Sequence, residues 1–113
     1  DRATLARHIL EGHFQEPIDL EYVAERVFVG KEYLRQLFRE KYAESPIQFL
    51  IRKRIELACY LLASTDQPVQ EISRMAGIPN VFYFSRLFKK KMGMPPTAYR
   101  MKRDISFRVI EIP

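Results

Sequence analysis

The chain has 113 residues, 47% of them hydrophobic, and a formal net charge of +5, enough to bury one core, or two small lobes sharing one, but not a deep catalytic cleft as well. A single cysteine, Cys59, excludes an internal disulfide and fits a reducing compartment, and neither a signal-peptide pattern nor an apolar run near the roughly 18 residues of a membrane span is visible. The charge is uneven: residues 1–50 carry seven Lys/Arg against nine Asp/Glu and residues 51–113 carry twelve against five, which points to a polyanionic partner, most simply nucleic acid, though a solvated basic face would give the same count.

Helix dominates the pattern. Residues 3–14 place Leu5, Ile9 and Gly12 near helical spacing, with Ala6 and His13 on the flanks, and Pro17 ends that run. Asp19 is a ready N-cap, because its carboxylate can accept the unbonded N–H groups of a first turn. Leu20, Val23, Ala24 and Val27 then form an i, i+3, i+4, i+7 stripe. Phe28-Val29-Gly30 breaks it. A third helix begins near Lys31, with Leu34, Leu37 and Phe38 inward and Lys31, Glu32, Arg35, Gln36 and Arg39 outward.

Ser45-Pro46-Ile47-Gln48 reads as a capping box with Pro at the first helical position. The helix it starts runs to about Ser64, roughly 27 Å at 1.5 Å per residue. Ile51, Ile55, Ala58 and Leu62 form its apolar line, widened by Leu50, Leu57 and Leu61, so neighbours are expected on both sides; Arg52, Lys53 and Arg54 cluster near its start. Beyond Pro68, the residues Val69, Ile72, Ser73 and Ala76 open a second helix, with Gly77 as the left-handed residue that closes it. Asn80 caps the next helix, which turns Phe84, Leu87 and Phe88 inward and ends in Lys89-Lys90-Lys91. Gly93 stops it, and Pro96 starts a short last helix through Tyr99 and Arg100. In residues 104–113, Ile105, Phe107, Val109 and Ile112 alternate loosely with polar residues, which predicts an extended tail.

The chain repeats itself. A shift of fifty residues carries Tyr33, Leu37, Phe38, Arg39, Lys41 and Pro46 onto Tyr83, Leu87, Phe88, Lys89, Lys91 and Pro96, and Phe49 onto Tyr99. Before the turn the shift is forty-nine: Leu20, Val23 and Ala24 match Val69, Ile72 and Ser73. Apolar spacing alone recurs by chance. The shared Tyr-(Leu/Phe)-x-x-Leu-Phe-(Arg/Lys)-x-Lys run does not, and the pattern reads as a duplicated helix-turn-helix with one inserted turn residue.

The second copy resembles the signature of the AraC/XylS bacterial transcription regulators. It carries Ile72-Ser73, Gly77-Ile78, Tyr83-Phe84-Ser85-Arg86-Leu87-Phe88-Lys89-Lys90, Gly93, Pro96 and Tyr99-Arg100 where that family has an Ile-Ala pair, a Gly-Phe turn, a Tyr-Phe-Ser-Arg-x-Phe-Lys-Lys run, a Gly, and a Pro before Tyr-Arg. Arg54-Ile55, Ala58, Leu61 and Leu62 fit the family's linker helix. The departures are Ser73 and Ile78 for the usual Ala and Phe, Ala43 for a frequent Gly, all read as mild packing changes, and Gly30 for a frequent capping Ser. The resemblance implies an all-α domain of about seven helices over residues 1–103. It would hold a first helix-turn-helix unit at about 4–44, a linker helix at about 45–64 and a second unit at about 66–103. Each unit would insert its second helix into a major groove of double-stranded DNA, successive grooves lying about 34 Å apart.

On that basis the outward residues at the start of each second helix are the base-contact candidates: Lys31, Glu32, Arg35 and Gln36 in one, Val81, Phe82, Ser85 and Arg86 in the other. Arg suits guanine, Gln adenine, and an apolar side chain the thymine methyl. Phe82 has the alternative of folding into the core, and Glu32 that of only repelling phosphate. Phosphate-contact candidates are Arg39, Lys41, Arg52, Arg54, Lys89, Lys90, Lys91, Arg100 and Arg103; Arg54 has the alternative of pairing with a carboxylate inside the body. Cys59 reads as a buried inert thiol, and His8 and His13 lack companions at metal-ligand spacing. No phosphate loop, nucleophile elbow or paired carboxylates appear, so neither an enzyme nor a cofactor is expected. The resemblance further implies a bacterial, cytoplasmic regulator, usually an activator, with RNA polymerase as a partner and a sensing or dimerising domain outside this segment. The competing reading is a helical protein- or RNA-binding module with a basic face.

Overall fold

The structure, a computed structural model, describes the backbone of residues 1–111 and the side chains of residues 1–103. Those residues form seven helices: α1 (Arg2–His13), α2 (Leu20–Arg26), α3 (Lys31–Tyr42), α4 (Pro46–Ser64), α5 (Val69–Met75), α6 (Val81–Met92) and α7 (Pro96–Glu111). No strand occurs among them. The chain divides into two compact units, Asp1–Arg54 and Ile55–Pro113. The long helix α4 is therefore more than a spacer: residues 46–54 belong to the first unit and residues 55–64 to the second.

In the first unit α1 packs on α2 and α3, and α2 on α3. Asp19 caps α2 through the Tyr22 N–H at 2.8 Å, and Leu20, Val23, Ala24 and Val27 are all buried. Leu34 and Phe38 of α3 are fully enclosed, and Phe38 meets Phe49 of α4 edge-on at 5.7 Å, a geometry worth about 0.5–1.5 kcal/mol beyond area burial. The capping box at α4 is reciprocal: the Ser45 N–H donates to Gln48 Oε1 at 2.8 Å and the Gln48 N–H to Ser45 Oγ at 3.1 Å. The buried face of α1 is Ala3, Ala6 and Leu10, not Leu5, Ile9 and Gly12; Leu5 is largely exposed. Small side chains take the inner face because they admit the close approach of α2 and α3, so residue size misled the periodicity.

The second unit repeats the plan. Ile55, Ala58 and Leu62 of α4 are buried at the same 3-then-4 spacing as Ala3, Ala6 and Leu10 of α1. α5 packs on α6, and α6 on α7. Phe84 and Phe88 are enclosed, and Phe88 meets Tyr99 edge-on at 5.5 Å, the counterpart of Phe38 on Phe49. The duplication thus includes a first helix that the sequence shift did not reveal.

Each unit's last helix secures the loop after its first helix with arginine. Arg54 donates to the carbonyls of Phe14 (2.7 Å) and Glu16 (2.9 Å). Arg100 and Arg103 donate to the carbonyls of Leu62 and Thr65, and Arg103 also reaches Asp66. Phe14 is the C-cap of α1, so its carbonyl has no intrahelical donor, whereas the Glu16 carbonyl also accepts from the Ile18 N–H at 2.7 Å.

Both turns share one bond: Val29 N–H to Ala24 carbonyl at 3.2 Å, and Ile78 N–H to Ser73 carbonyl at 2.9 Å. Gly77 is left-handed at φ +91°, as the sequence predicts, and its counterpart is Phe28 at φ +61°. The inserted residue therefore falls after the left-handed position, where Pro79-Asn80 faces Gly30 alone. Ser73 is buried, and its hydroxyl donates to the Ile78 carbonyl, so this departure adds a hydrogen bond to the turn. Ala43 is left-handed at φ +60°, the counterpart of Gly93 at φ +80°. Its departure from Gly is a backbone cost, not a packing change.

The last helix corrects a second expectation. α7 does not end near Arg100 but continues to Glu111, so residues 104–111 are helical and not extended; residues 112 and 113 lie outside the described residues. Ile105, Val109 and Ile112 stand at i, i+4 and i+7, a helical spacing that the alternation with Phe107 obscured.

Candidate nucleic-acid interface

Helix α3 begins without a side-chain cap, since Gly30 supplies only backbone, a loss of a few tenths of a kcal/mol against Ser. Lys31, Glu32, Arg35, Gln36 and Arg39 are all exposed along its outer side. They are not independent. Arg35 is ion-paired with Glu32, and Gln36 Nε2 donates to Glu40 Oε1 at 3.2 Å. Exposed pairs of this kind hold about 0.2–1 kcal/mol. Glu32 thus orients a guanidinium across the helix face, and a stronger acceptor can take Arg35 from it. Lys41 is bound by Asp1 Oδ2 and Thr4 Oγ1, both at 2.6 Å, while Arg52 pairs with Glu44 at 2.7 Å and lies over the Phe49 ring.

Helix α6 is built otherwise. Asn80 caps it through the Tyr83 N–H at 3.0 Å. Its first turn holds no acid. Phe82 is 74% exposed, so it does not fold into the core. Val81 and Ser85 are half-buried beside it, and Arg86 is exposed. Lys89, Lys90 and Lys91 are exposed at the C-terminal end, where cations also suit the helix dipole. The tip of α6 is apolar and its tail cationic, whereas the outer face of α3 is polar and holds two internal pairs, Glu32–Arg35 and Gln36–Glu40.

The remaining phosphate-contact candidates have structural partners. Arg54, Arg100 and Arg103 are half-buried on the carbonyls described above. Phe28, in the turn that breaks the α2 stripe, lies outside the contact candidates. Its ring is 83% exposed on a left-handed backbone, and the forty-nine-residue shift, carried four positions past Ala24, sets it opposite Gly77.

Elsewhere Cys59 is half-buried; burial raises its thiol above the ordinary range, with a hydrogen bond to Tyr99 acting the other way. His13 Nδ1 lies 2.6 Å from Glu16 Oε2. Among the described residues no cluster could hold a metal ion, and no helix is long and apolar enough to cross a membrane.

A family model described as a helix-turn-helix domain matches residues 23–102. The chain is 36% identical over 90 residues to the MmsAB operon regulatory protein of Pseudomonas aeruginosa, covering 80% of this chain and 29% of that protein. Among solved structures it is similar to the C-terminal domain of AraT, a response regulator from Geobacillus stearothermophilus, with 37% identity, a TM-score of 0.87, and 90% and 85% of the two chains covered. It also matches the DNA-binding domain of AdpA, a global transcriptional factor solved with a target DNA, at 25% identity and TM-score 0.84, covering 98% and 96%. The chain spans between 29% and 39% of the length of the first curated relatives it matches.

Proposed function

The chain belongs to the AraC/XylS family of helix-turn-helix transcription regulators, as a DNA-binding domain, and from that premise we propose that it recognises a specific duplex site by laying α3 and α6 into successive major grooves. As a domain of that family it is a binding module and not an enzyme. The observation that carries the finer reading is that both second helices of the duplicated unit expose the start of their outer face. In known helix-turn-helix domains that part of the second helix meets base edges.

Lys31, Glu32, Arg35 and Gln36 then form a hydrogen-bonding face, with Arg35 leaving Glu32 for guanine and Gln36 leaving Glu40 for adenine. Val81, Phe82, Ser85 and Arg86 form a mixed face, in which Phe82 meets a thymine methyl and Arg86 a guanine. Arg39, Lys89, Lys90 and Lys91 bind phosphate, with Lys41 and Arg52 contributing at the rim. Arg54, Arg100 and Arg103 serve first to hold loops. The parent protein is a bacterial, cytoplasmic regulator, an activator that meets RNA polymerase, with a sensing or dimerising domain outside this segment. Residues 1–103 are the DNA-binding part, with units at about 4–44 and 66–103 and the linker helix at about 45–64.

The test is salt-dependent binding to duplex DNA combined with footprinting on a genomic fragment library. A preferred site protected over two adjacent major grooves on one face is the expected result. Lys90→Ala should weaken all duplexes alike and reduce the salt slope by about one. Binding to single-stranded RNA with no preferred duplex would overturn the reading in favour of an RNA-binding module.

A further inference from the structure

Three tyrosines, Tyr33, Tyr60 and Tyr83, are exposed and without a role in the core, and two of them stand at matched positions. Tyr33 is the third residue of α3 and Tyr83 the third of α6, exact counterparts under the fifty-residue shift. Both rings are large and both are exposed, at 54% and 46%. The tyrosines used by the fold differ. Tyr22 is covered by Arg26 at 3.3 Å, Tyr42 lies 4.8 Å from Phe38 and bonds Thr4 through its hydroxyl, and Tyr99 packs on Phe88. Among the described residues, neither the Tyr33 nor the Tyr83 hydroxyl has a hydrogen-bond partner, and neither ring stacks.

Their place on the helix is equally alike. At about 100° per residue, Tyr33 stands about 60° beyond Gln36, on the flank away from Arg35. Tyr83 stands on the matching flank beyond Arg86. A helix seated in the major groove turns its middle to the base edges and its flanks to the walls, and the walls are phosphate. A phenol there offers a neutral O–H donor on a stiff arm with few rotamers to lose, a suitable partner for an anionic phosphate oxygen. Base reading suits this position poorly, because Glu32 and Gln36 lie between it and Arg35.

We infer that Tyr33 and Tyr83 are a matched pair of phosphate anchors that fix the depth and register of α3 and α6 through their hydroxyls. The inference rests on the DNA-binding reading above, and it goes beyond that reading in assigning two neutral contacts to the positions flanking the base-contact candidates. Because a phenol carries no charge, its bond displaces no counterion. Such anchors strengthen binding without steepening its salt dependence, unlike the lysines of α6.

The test uses Tyr33→Phe, Tyr83→Phe and the double variant, which remove only the hydroxyls. Binding is followed by fluorescence anisotropy on the footprinted duplex and on a scrambled duplex across a salt series, with thermal melting alongside. Each single variant should lose about tenfold on both duplexes, with unchanged salt slope, unchanged base preference and unchanged melting temperature. A methylphosphonate scan of the site should reveal one phosphate whose neutralisation weakens the parent protein but not Tyr33→Phe, and another that behaves so for Tyr83→Phe. Parental affinity in both variants would overturn the inference, as would a preference altered at one base pair, which would make the residue a base reader. If the unaltered protein bound no duplex at all, the DNA-binding reading itself would fall; if it bound and the variants matched it, only the anchors would.

Discussion

The two units repeat one packing plan and differ on their surfaces. Phe38 on Phe49 and Phe88 on Tyr99 are the same contact made twice, as are the turn bonds of Val29 and Ile78. Outside, α3 carries Glu32–Arg35 and Gln36–Glu40, polar groups that occupy one another, while α6 ends in three lysines and begins with an exposed Phe82. Duplication supplied one scaffold, and the exposed positions diverged because core packing does not constrain them. On the proposed reading, α3 would discriminate through hydrogen bonds that must be exchanged, and α6 would hold on by charge and read by apolar contact.

The largest effect should test the shared scaffold. Phe38→Ala and Phe88→Ala should each cost about 3–5 kcal/mol of stability, and by similar amounts, as measured by urea unfolding. Strongly unequal losses would break the equivalence of the two cores.

The next test addresses the divergent faces. Arg35→Ala and Arg86→Ala should each cost about 1–3 kcal/mol on the preferred site and relax one base position. Phe82→Ala should match them only at a thymine. Replacing that thymine by uracil removes just the methyl, and should weaken the parent protein while leaving Phe82→Ala unmoved. Equal sensitivity of both proteins in titrations would make Phe82 a bystander.

A smaller effect should mark the turns. Phe28→Gly should raise stability by about 0.5–1 kcal/mol, because a left-handed backbone strains any side chain and this ring is scarcely buried. Gly77→Ala should lower stability by about 1 kcal/mol. Thermal melts decide both, and a loss on Phe28→Gly would mean that the ring is held by something stronger than its exposure implies.

The smallest effect concerns two exposed ion pairs, Arg7–Glu11 in the first unit and Arg74–Glu71 in the second. Hydrogen bonds from Arg7 and Arg74 hold the Glu11 and Glu71 carboxyls below their ordinary range. A carboxyl with a lowered folded value stabilises above the unfolded value and loses that contribution as pH falls through the folded one. The parent protein should therefore melt slightly above Glu71→Gln at neutral pH, and the gap should close on acidification below the usual carboxylate range. A gap that persisted there would assign the effect to packing.

Much of this architecture was legible in the chain. Asp19, Ser45, Gln48, Asn80, Gly77 and Gly93 act locally, and each sits where its chemistry requires. The buried stripes of α2, α3 and α6 followed from period alone. The face of α1 did not, because alanines enter a close helix contact on account of their size, which no hydrophobic spacing records. α7 was cut short because four-residue spacing satisfies two periods at once. For the interface, exposure of the outer positions was readable from the wheel. The Glu32–Arg35 pairing and the inward turn of Arg54, Arg100 and Arg103 were not, because a long side chain has several acceptors in reach and only the folded backbone chooses among them.

Those arginines carry a last consequence. Apart from the ion pair of Arg103 with Asp66, they close their loops on carbonyl oxygens, which have no charge to screen and no proton to gain, and do so half-buried from solvent. Dissolved ions compete with lysine for phosphate far more than with guanidinium for such a carbonyl. When a cell gains or loses water and its ion content shifts, the domain should therefore leave or return to its sites as an intact fold. Its occupancy would track osmotic state without exposing the chain to the proteases that clear unfolded protein.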